Sequence, residues 1–209
     1  MTIGSAPGGK LSAAEALVLE RIKTEHRSLA RVIGAMQALV TRWRAPGEKP
    51  DLELFDALLR YIENVPDRMH HPKEDRVLFP AIAGRSDQGR ELIEQLMREH
   101  AKGEPMIAET RAALARMQSA GPHALEGLAT AVEEFAEFYW WHLHREEEQL
   151  LPLAHTVLSD AEWRAIAAAF DANVDPMFGP ECAAEYRALY ERIVELTPKP
   201  LKSLMQGES

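Results

Sequence analysis

Two short stretches of this sequence share the same spacing of histidine, glutamate and proline. One runs from His142 to Pro152 and reads HLHREEEQLLP, and the other runs from His70 to Pro80 and reads HHPKEDRVLFP. In each stretch a glutamate follows the first histidine by four residues, and an apolar pair and a proline end the stretch. Residues at positions i and i+4 lie on one face of an α-helix, about one turn apart. Each stretch therefore directs an imidazole and a carboxylate towards one point, and we expect the chain to bring the two points together.

Apolar residues recur at steps of three and four along four segments, which predicts four amphipathic helices. Ser12 and Glu15 form a capping-box signature before the first helix, Asp51 is a candidate N-cap for the second, and Ser86 or Asp87 can cap the third. Short turns rich in proline and glycine separate the segments. This pattern predicts an all-α protein, an up-down-up-down four-helix bundle with additional C-terminal helices.

Two prolines fall within the predicted second helix. Pro66 and Pro72 each lack a backbone donor and should bend it, so we expect one kinked helix that ends near Gly84. A complete break at Pro66 is the alternative.

The chain divides by pattern into four parts. The predicted parts are a flexible leader (1–11), the four-helix bundle (12–155), a C-terminal helical extension (156–196) and a tail (197–209). We expect the C-terminal segments to cover one end of the bundle or to form a subunit contact, as in a homodimer.

Composition excludes several classes of partner. The net charge of −9 disfavours binding to nucleic acid and to an anionic membrane surface, because both need a basic excess. No apolar run approaches the length of a membrane span. Cys182 is the only cysteine, so no internal disulfide can form, and we expect a reducing, cytoplasmic location.

Polar side chains occupy six positions where the helical pattern calls for buried ones. They are His26, His70, Glu74, His100, His142 and Glu146. A hydrogen-bonded network of histidine and glutamate without metal is one explanation. A bound metal pair explains them better, because cations balance both carboxylates and use all four imidazoles. Four nitrogens and two carboxylates, with no thiolate, suit iron or manganese better than a closed zinc site, although zinc stays possible.

The order of these residues resembles the hemerythrin HHE cation-binding family. The resemblance rests on a histidine followed by H-x-x-x-E, the same order repeated, and the ends at Phe79-Pro80 and Leu151-Pro152. It implies a four-helix bundle with a carboxylate-bridged, non-haem di-iron centre. It also implies iron-ligand roles for the six residues above, with Glu74 and Glu146 as bridges.

Many members of that family have a fifth histidine ligand, and no residue here clearly fills that role. His71 points roughly 100° around the helix from His70, so we expect it to lie outside the ligand set. His123, His144 and His155 are expected to be solvated. Tyr139 lies in the apolar seam one turn before His142, where packing is favoured over coordination.

The leading functional hypothesis is a di-iron protein that binds or senses a small oxidant or gas: dioxygen, nitric oxide or peroxide. One alternative is a di-iron enzyme or repair factor, with peroxidase-like chemistry, nitric oxide reduction or iron delivery to Fe–S clusters. Another is a metal-free structural bundle. The residues alone leave the choice between sensing and catalysis open.

Overall fold

The computed structural model describes residues 11–171 and 187–196, and these residues form helices joined by short turns. The first helix, α1, spans Ala13–Trp43, and Ser12 and Glu15 make the predicted capping box at its start. Helix α3 spans Asp87–Ala120, with Ser86 as its N-cap. Gly121, with a φ of 74°, ends α3 because this backbone conformation is unfavourable for residues with a Cβ.

The second bundle helix, α2, follows one helical path over residues 52–83 and starts at the N-cap Asp51. Its first part, Leu52–Asn64, is regular, and two π-helical segments follow at Pro66–His70 and Glu74–Leu78. The amide of His70 donates to the carbonyl of Val65, five residues earlier. Pro66 therefore causes a widened turn and not a break, and the predicted end near Gly84 is confirmed.

The fourth bundle helix, α4, covers residues 125–157 and repeats one of these irregularities. Its regular part, Leu125–Arg145, passes into a π-helical segment at Glu146–Leu150 and then into Leu151–Val157. In α2 and α4 alike, a proline lies two residues beyond a π segment that begins at the motif glutamate. A proline in a regular helix clashes with the carbonyl four residues earlier, so the wider turn accommodates Pro80 and Pro152.

The four helices contact one another in a ring, since each meets the next in sequence and α4 returns to α1. This is the predicted up-down-up-down bundle. Among the described residues, two more helices lie against it: α5 (Asp160–Asp171) on α1, and α6 (Arg187–Leu196) on α1 and α2. The predicted leader, Cys182 and the predicted tail lie almost wholly outside the described residues. Within the described part, no helix has both the length and the apolar character needed to cross a membrane.

The interior consists of two apolar clusters with a polar layer between them. One cluster holds Val18 and Ile22 of α1 together with Trp163 and Phe170 of α5. The other cluster begins on α1 at Leu29 and extends to the opposite end of the bundle, where the Ile193 side chain of α6 is fully buried. The six polar residues predicted from the sequence lie between these clusters.

Candidate metal centre

All six residues predicted as metal ligands come together in the polar layer, one or two from each bundle helix. Glu74 and Glu146 are fully buried, the histidines expose only 2–7% of their side chains, and Nε2 of each imidazole lies near a carboxylate oxygen. The Nε2–oxygen distances are 3.2 Å for His26–Glu146, 3.3 Å for His70–Glu74, 3.7 Å for His100–Glu74 and 3.5 Å for His142–Glu146. Donors at about 2.1 Å from one octahedral ion lie about 3 Å apart, so these spacings suit shared cations.

The donor atoms divide into two groups, each with all donors within 4.8 Å of one another. The first group consists of His26, His70, Glu74 and Glu146, and the second of His71, His100 and His142. Both carboxylates also reach the second group, because one oxygen of Glu74 lies 3.7 Å and one of Glu146 lies 3.6 Å from Nε2 of His100. Each glutamate thus presents one oxygen to each group.

His71 corrects the sequence-based expectation, because it belongs to the second group and exposes only 6% of its surface. Its ring stacks on that of His100, with 4.1 Å between centroids. The expectation assumed a regular helix, in which adjacent residues differ by 100°. The π segment that ends at His70 inserts an extra residue into the turn, and both His70 and His71 then face the interior.

A carboxylate accepts a hydrogen bond from Nδ1 of each of the four predicted histidines. The pairs are His26–Glu147 at 2.9 Å, His70–Glu25 at 2.6 Å, His100–Asp75 at 2.8 Å and His142–Glu99 at 3.0 Å. With the proton on Nδ1, Nε2 carries the lone pair that a metal requires. The only trace of these carboxylates in the sequence pattern is the repeat of the dipeptides Glu25-His26 and Glu99-His100.

Burial and neighbouring charges shift the pKa values of several titratable groups in the layer. Burial lowers the pKa of His100, but Asp75, Glu146 and Glu74 outweigh burial and raise this pKa to about 10. Burial alone would raise the pKa of Glu146, but His142, His100 and His26 hold it well below the usual range. Burial and the neighbouring His100 keep the pKa of His71 well below 6.5, so this imidazole is neutral at pH 7. A cation that enters the layer therefore displaces protons from histidines.

The buried polar atoms of the layer fit bound cations. Both oxygens of Glu74, both oxygens of Glu146, and Nε2 of His100 and His142 are buried without a hydrogen-bond partner. Burying a polar group without a hydrogen bond costs a few kcal/mol, and burying an uncompensated charge costs more. Five imidazoles and two carboxylates, with no thiolate among them, form a donor set suited to iron or manganese.

The remaining candidates from the sequence differ in their surroundings. His123 and His144 are exposed, as predicted. His155 is half-buried, and its Nδ1 lies 2.5 Å from Glu15, so the prediction that it is solvated is wrong. Tyr139 is 1% exposed, and its ring lies 5.9 Å from that of His142. A Cβ on Gly103 would lie 2.8 Å from the Tyr139 hydroxyl, so glycine at this position leaves room for the tyrosine.

Comparison with known proteins agrees with this geometry. The family model of the hemerythrin HHE cation binding domain matches residues 17–154, which include most of the four bundle helices and all seven donors. The chain is also similar to the zinc finger protein BRUTUS of Arabidopsis thaliana, with 28% identity over 142 residues. That match covers 65% of this chain but only 11% of the plant protein, so the likeness concerns a small part of that relative.

Proposed function

This chain belongs to the hemerythrin HHE cation-binding family, and on that premise we propose that its polar layer holds two iron ions. We propose further that a small oxidant or gas (dioxygen, nitric oxide or peroxide) binds at this centre. The proposal rests on one observation, the two adjoining groups of donors that share Glu74 and Glu146. Iron with nitrogen and carboxylate donors supplies redox chemistry and affinity for such molecules.

The two groups of donors are unequal, which favours binding on one side of the centre. The group with His26 and His70 offers two nitrogens and two carboxylate oxygens. The other group offers three nitrogens, including His71, and can share the same two carboxylates. A six-coordinate ion would keep more open positions in the first group than in the second. We therefore assign binding of the small molecule to the side of His26 and His70.

The apolar clusters on both sides of the layer favour small, uncharged molecules. Ile22 and Leu29 lie about one helical turn before and after His26 on α1, and they are 0% and 2% exposed. Phe79 stacks against His100 with 5.4 Å between ring centroids. Such walls exclude bulk water and hold the imidazoles in fixed orientations, which supports reversible binding at the centre.

Metal analysis and ligand titration test the proposal in sequence. Protein expressed in iron-replete medium should contain about two iron ions per chain, and its optical spectrum should change when nitric oxide or dioxygen is added anaerobically to the reduced protein. A His144→Leu variant is the matched control, because His144 is exposed on α4 and should leave both results unchanged.

Three outcomes would separate the alternatives. A protein that stays colourless and metal-free after anaerobic loading with ferrous iron would refute the proposal and favour a structural bundle. Two bound irons with no spectral response to dioxygen, nitric oxide or peroxide would refute the ligand assignment alone. Catalytic consumption of peroxide that His142→Ala abolishes would favour an enzyme over a binding protein.

A further inference from the structure

The first half of the bundle (α1 and α2) and the second half (α3 and α4) share a repeated pattern that includes more residues than the histidine and glutamate described above. In the first half, Glu25-His26 on α1 accompanies His70-x-x-Lys73-Glu74 on α2. In the second half, a Glu-His dipeptide on α3 accompanies a histidine, a basic residue and a glutamate on α4, at the same spacing. These are Glu99, His100, His142, Arg145 and Glu146. Both halves therefore place a basic residue three positions after one histidine and directly before the motif glutamate.

In the first half, this basic residue contacts the carboxylate that supports the histidine. Nζ of Lys73 lies 3.6 Å from one oxygen of Glu25, and the other oxygen of Glu25 lies 2.6 Å from Nδ1 of His70. Lys73 and Glu25 each expose 7% of their side chains. The Lys73 ammonium also lies 5.4 Å from the ring centroid of Phe170 on α5. A lysine, a carboxylate and an imidazole thus form a buried series that ends at the proposed centre.

The second half builds the same series from α3 and α4. Arg145 forms an ion pair with Glu99, and Glu99 accepts a hydrogen bond of 3.0 Å from Nδ1 of His142. Arg145 and Glu99 expose 20% and 15% of their side chains. The arrangement is therefore repeated in contacts as well as in sequence, and each half supplies one basic residue to one group of donors.

The other two carboxylates that support histidines differ in this respect. Asp75 and Glu147 expose 34% and 35% of their side chains, and among the described residues neither forms an ion pair within 4 Å with lysine or arginine, although Lys23 and Arg27 act on Glu147 from a longer distance. Water can screen their charge. Screening by water is weak at the more buried Glu25 and Glu99, so the charges of these two carboxylates act more strongly on the centre unless a cation offsets them.

We propose that Lys73 and Arg145 are positioning residues that set the redox potential of the metal centre, Lys73 through Glu25 and His70 and Arg145 through Glu99 and His142. Each basic residue holds its carboxylate on Nδ1 of the histidine and offsets its negative charge. Without the cation, the extra negative charge near the centre stabilises the oxidised, more positive state of the metal. The inference rests on the proposed iron centre and adds that two basic side chains tune it.

The test compares neutral variants, charge-retaining variants and a control. Lys73→Met and Arg145→Met remove the charge but keep much of the side-chain volume, whereas Lys73→Arg and Arg145→Lys retain the charge. Arg111→Met is the control, because Arg111 pairs with Glu63 and Asp56 and lies about 16 Å along α3 from His100. Iron content, the midpoint potential of the iron-loaded protein and thermal unfolding of the metal-free protein are measured for each variant.

We expect both methionine variants to hold two irons per chain with a lower midpoint potential. When the potential of the solution is held constant, the ratio of oxidised to reduced protein should rise about tenfold in these variants. This rise equals a midpoint shift of 59 mV for a one-electron couple. In Lys73→Arg and Arg145→Lys, which retain the charge, the same ratio should stay within threefold of that of the unmodified protein. Arg111→Met should lower the unfolding temperature and leave the potential unchanged.

A ratio within twofold of the unmodified protein in both methionine variants, at full iron content, would overturn the inference while leaving the iron centre in place. An equal shift in Arg111→Met would also overturn it, because the effect would then be a general loss of stability. If Lys73→Met does not fold, Arg145→Met decides the question, because Arg145 is partly exposed. Absence of iron from the unmodified protein would instead refute the proposed function.

Discussion

Replacing His71 by leucine tests whether this residue is a ligand, as its place in the second group of donors indicates. The imidazole is buried, and one of its nitrogens lies within 4.8 Å of a ring nitrogen of His100 and of His142. Its pKa lies well below 6.5, because burial and His100 disfavour the charged form. His71→Leu therefore removes a nitrogen donor at pH 7 without removing a charge from the metal-free protein.

The size of the effect follows from the number of donors. Loss of a residue that only supports a metal ligand typically weakens metal binding by 10–100-fold. Loss of a nitrogen that itself coordinates the metal should therefore lower the affinity for that ion by about 100-fold or more. That factor corresponds to about 2.7 kcal/mol of lost metal-dependent stabilisation. For a chain of this length, each kcal/mol shifts the unfolding temperature by about 2–4 °C. The metal-induced rise in unfolding temperature should therefore be roughly 5–10 °C smaller.

Thermal unfolding with and without metal measures this difference directly. Unmodified protein, His71→Leu and His144→Leu are each unfolded after chelation and again at a fixed excess of ferrous iron under anaerobic conditions. Metal-free His71→Leu should remain within about 1–2 kcal/mol of the unmodified protein, because leucine conserves much of the buried volume. The iron content should fall from about two ions to about one per chain, whereas exposed His144→Leu should change neither quantity.

Two irons per chain in His71→Leu, with the full metal-induced rise in unfolding temperature, would refute the reasoning. His71 would then be a packing residue, and the second group would rely on His100, His142 and the two shared carboxylates. A large loss of stability in the metal-free variant with normal iron content would lead to the same conclusion.

Three further predictions concern the same layer. Glu74→Ala and Glu146→Ala should each lower iron content and unfolding temperature together, and stoichiometric iron in both variants would exclude a bridging role. Gly103→Ala should displace the Tyr139 ring, because the new Cβ would lie 2.8 Å from its hydroxyl. Chemical denaturation should show a loss of stability of about 1–3 kcal/mol. Gly127→Ala on α4 is the control, because a Cβ at Gly127 would meet no atom within 4 Å. The pKa of His100 is raised to about 10 in the folded protein. Its contribution to the stability of metal-free protein should therefore be complete below pH 6.5 and disappear towards pH 10. Denaturation midpoints measured across this pH range should fall as the pH rises, and constant midpoints would contradict the prediction.

The sequence was sufficient to predict the bundle and the six polar residues of the layer. Both follow from side-chain periodicity, because apolar steps of three and four define the helix faces and a polar residue on such a face needs a partner. His71 could not be assigned in this way. Its direction depends on the π turn at Pro66–His70, and a periodicity that assumes regular helices places adjacent residues on different faces.

The carboxylates that support the histidines were missed for a different physical reason. Glu147 lies in an acidic run on α4, a pattern typical of a solvent-facing surface, and its side chain is about a third exposed. Its contact with His26 depends on how α1 and α4 pack side by side, and a pattern within a single helix contains no information on that packing. Asp75 and His100 are likewise joined across two helices.

The separation of the two apolar clusters by the polar layer has a consequence for the lifetime of the chain in a cell. Between the clusters, the described helices of the metal-free protein are joined by ion pairs and hydrogen bonds between histidines and carboxylates, and the strength of these contacts depends on protonation. A metal bound by these residues would join the four helices at this level, so we expect the metal-free protein to open there more often and to be cleaved faster by a protease than the metal-loaded protein.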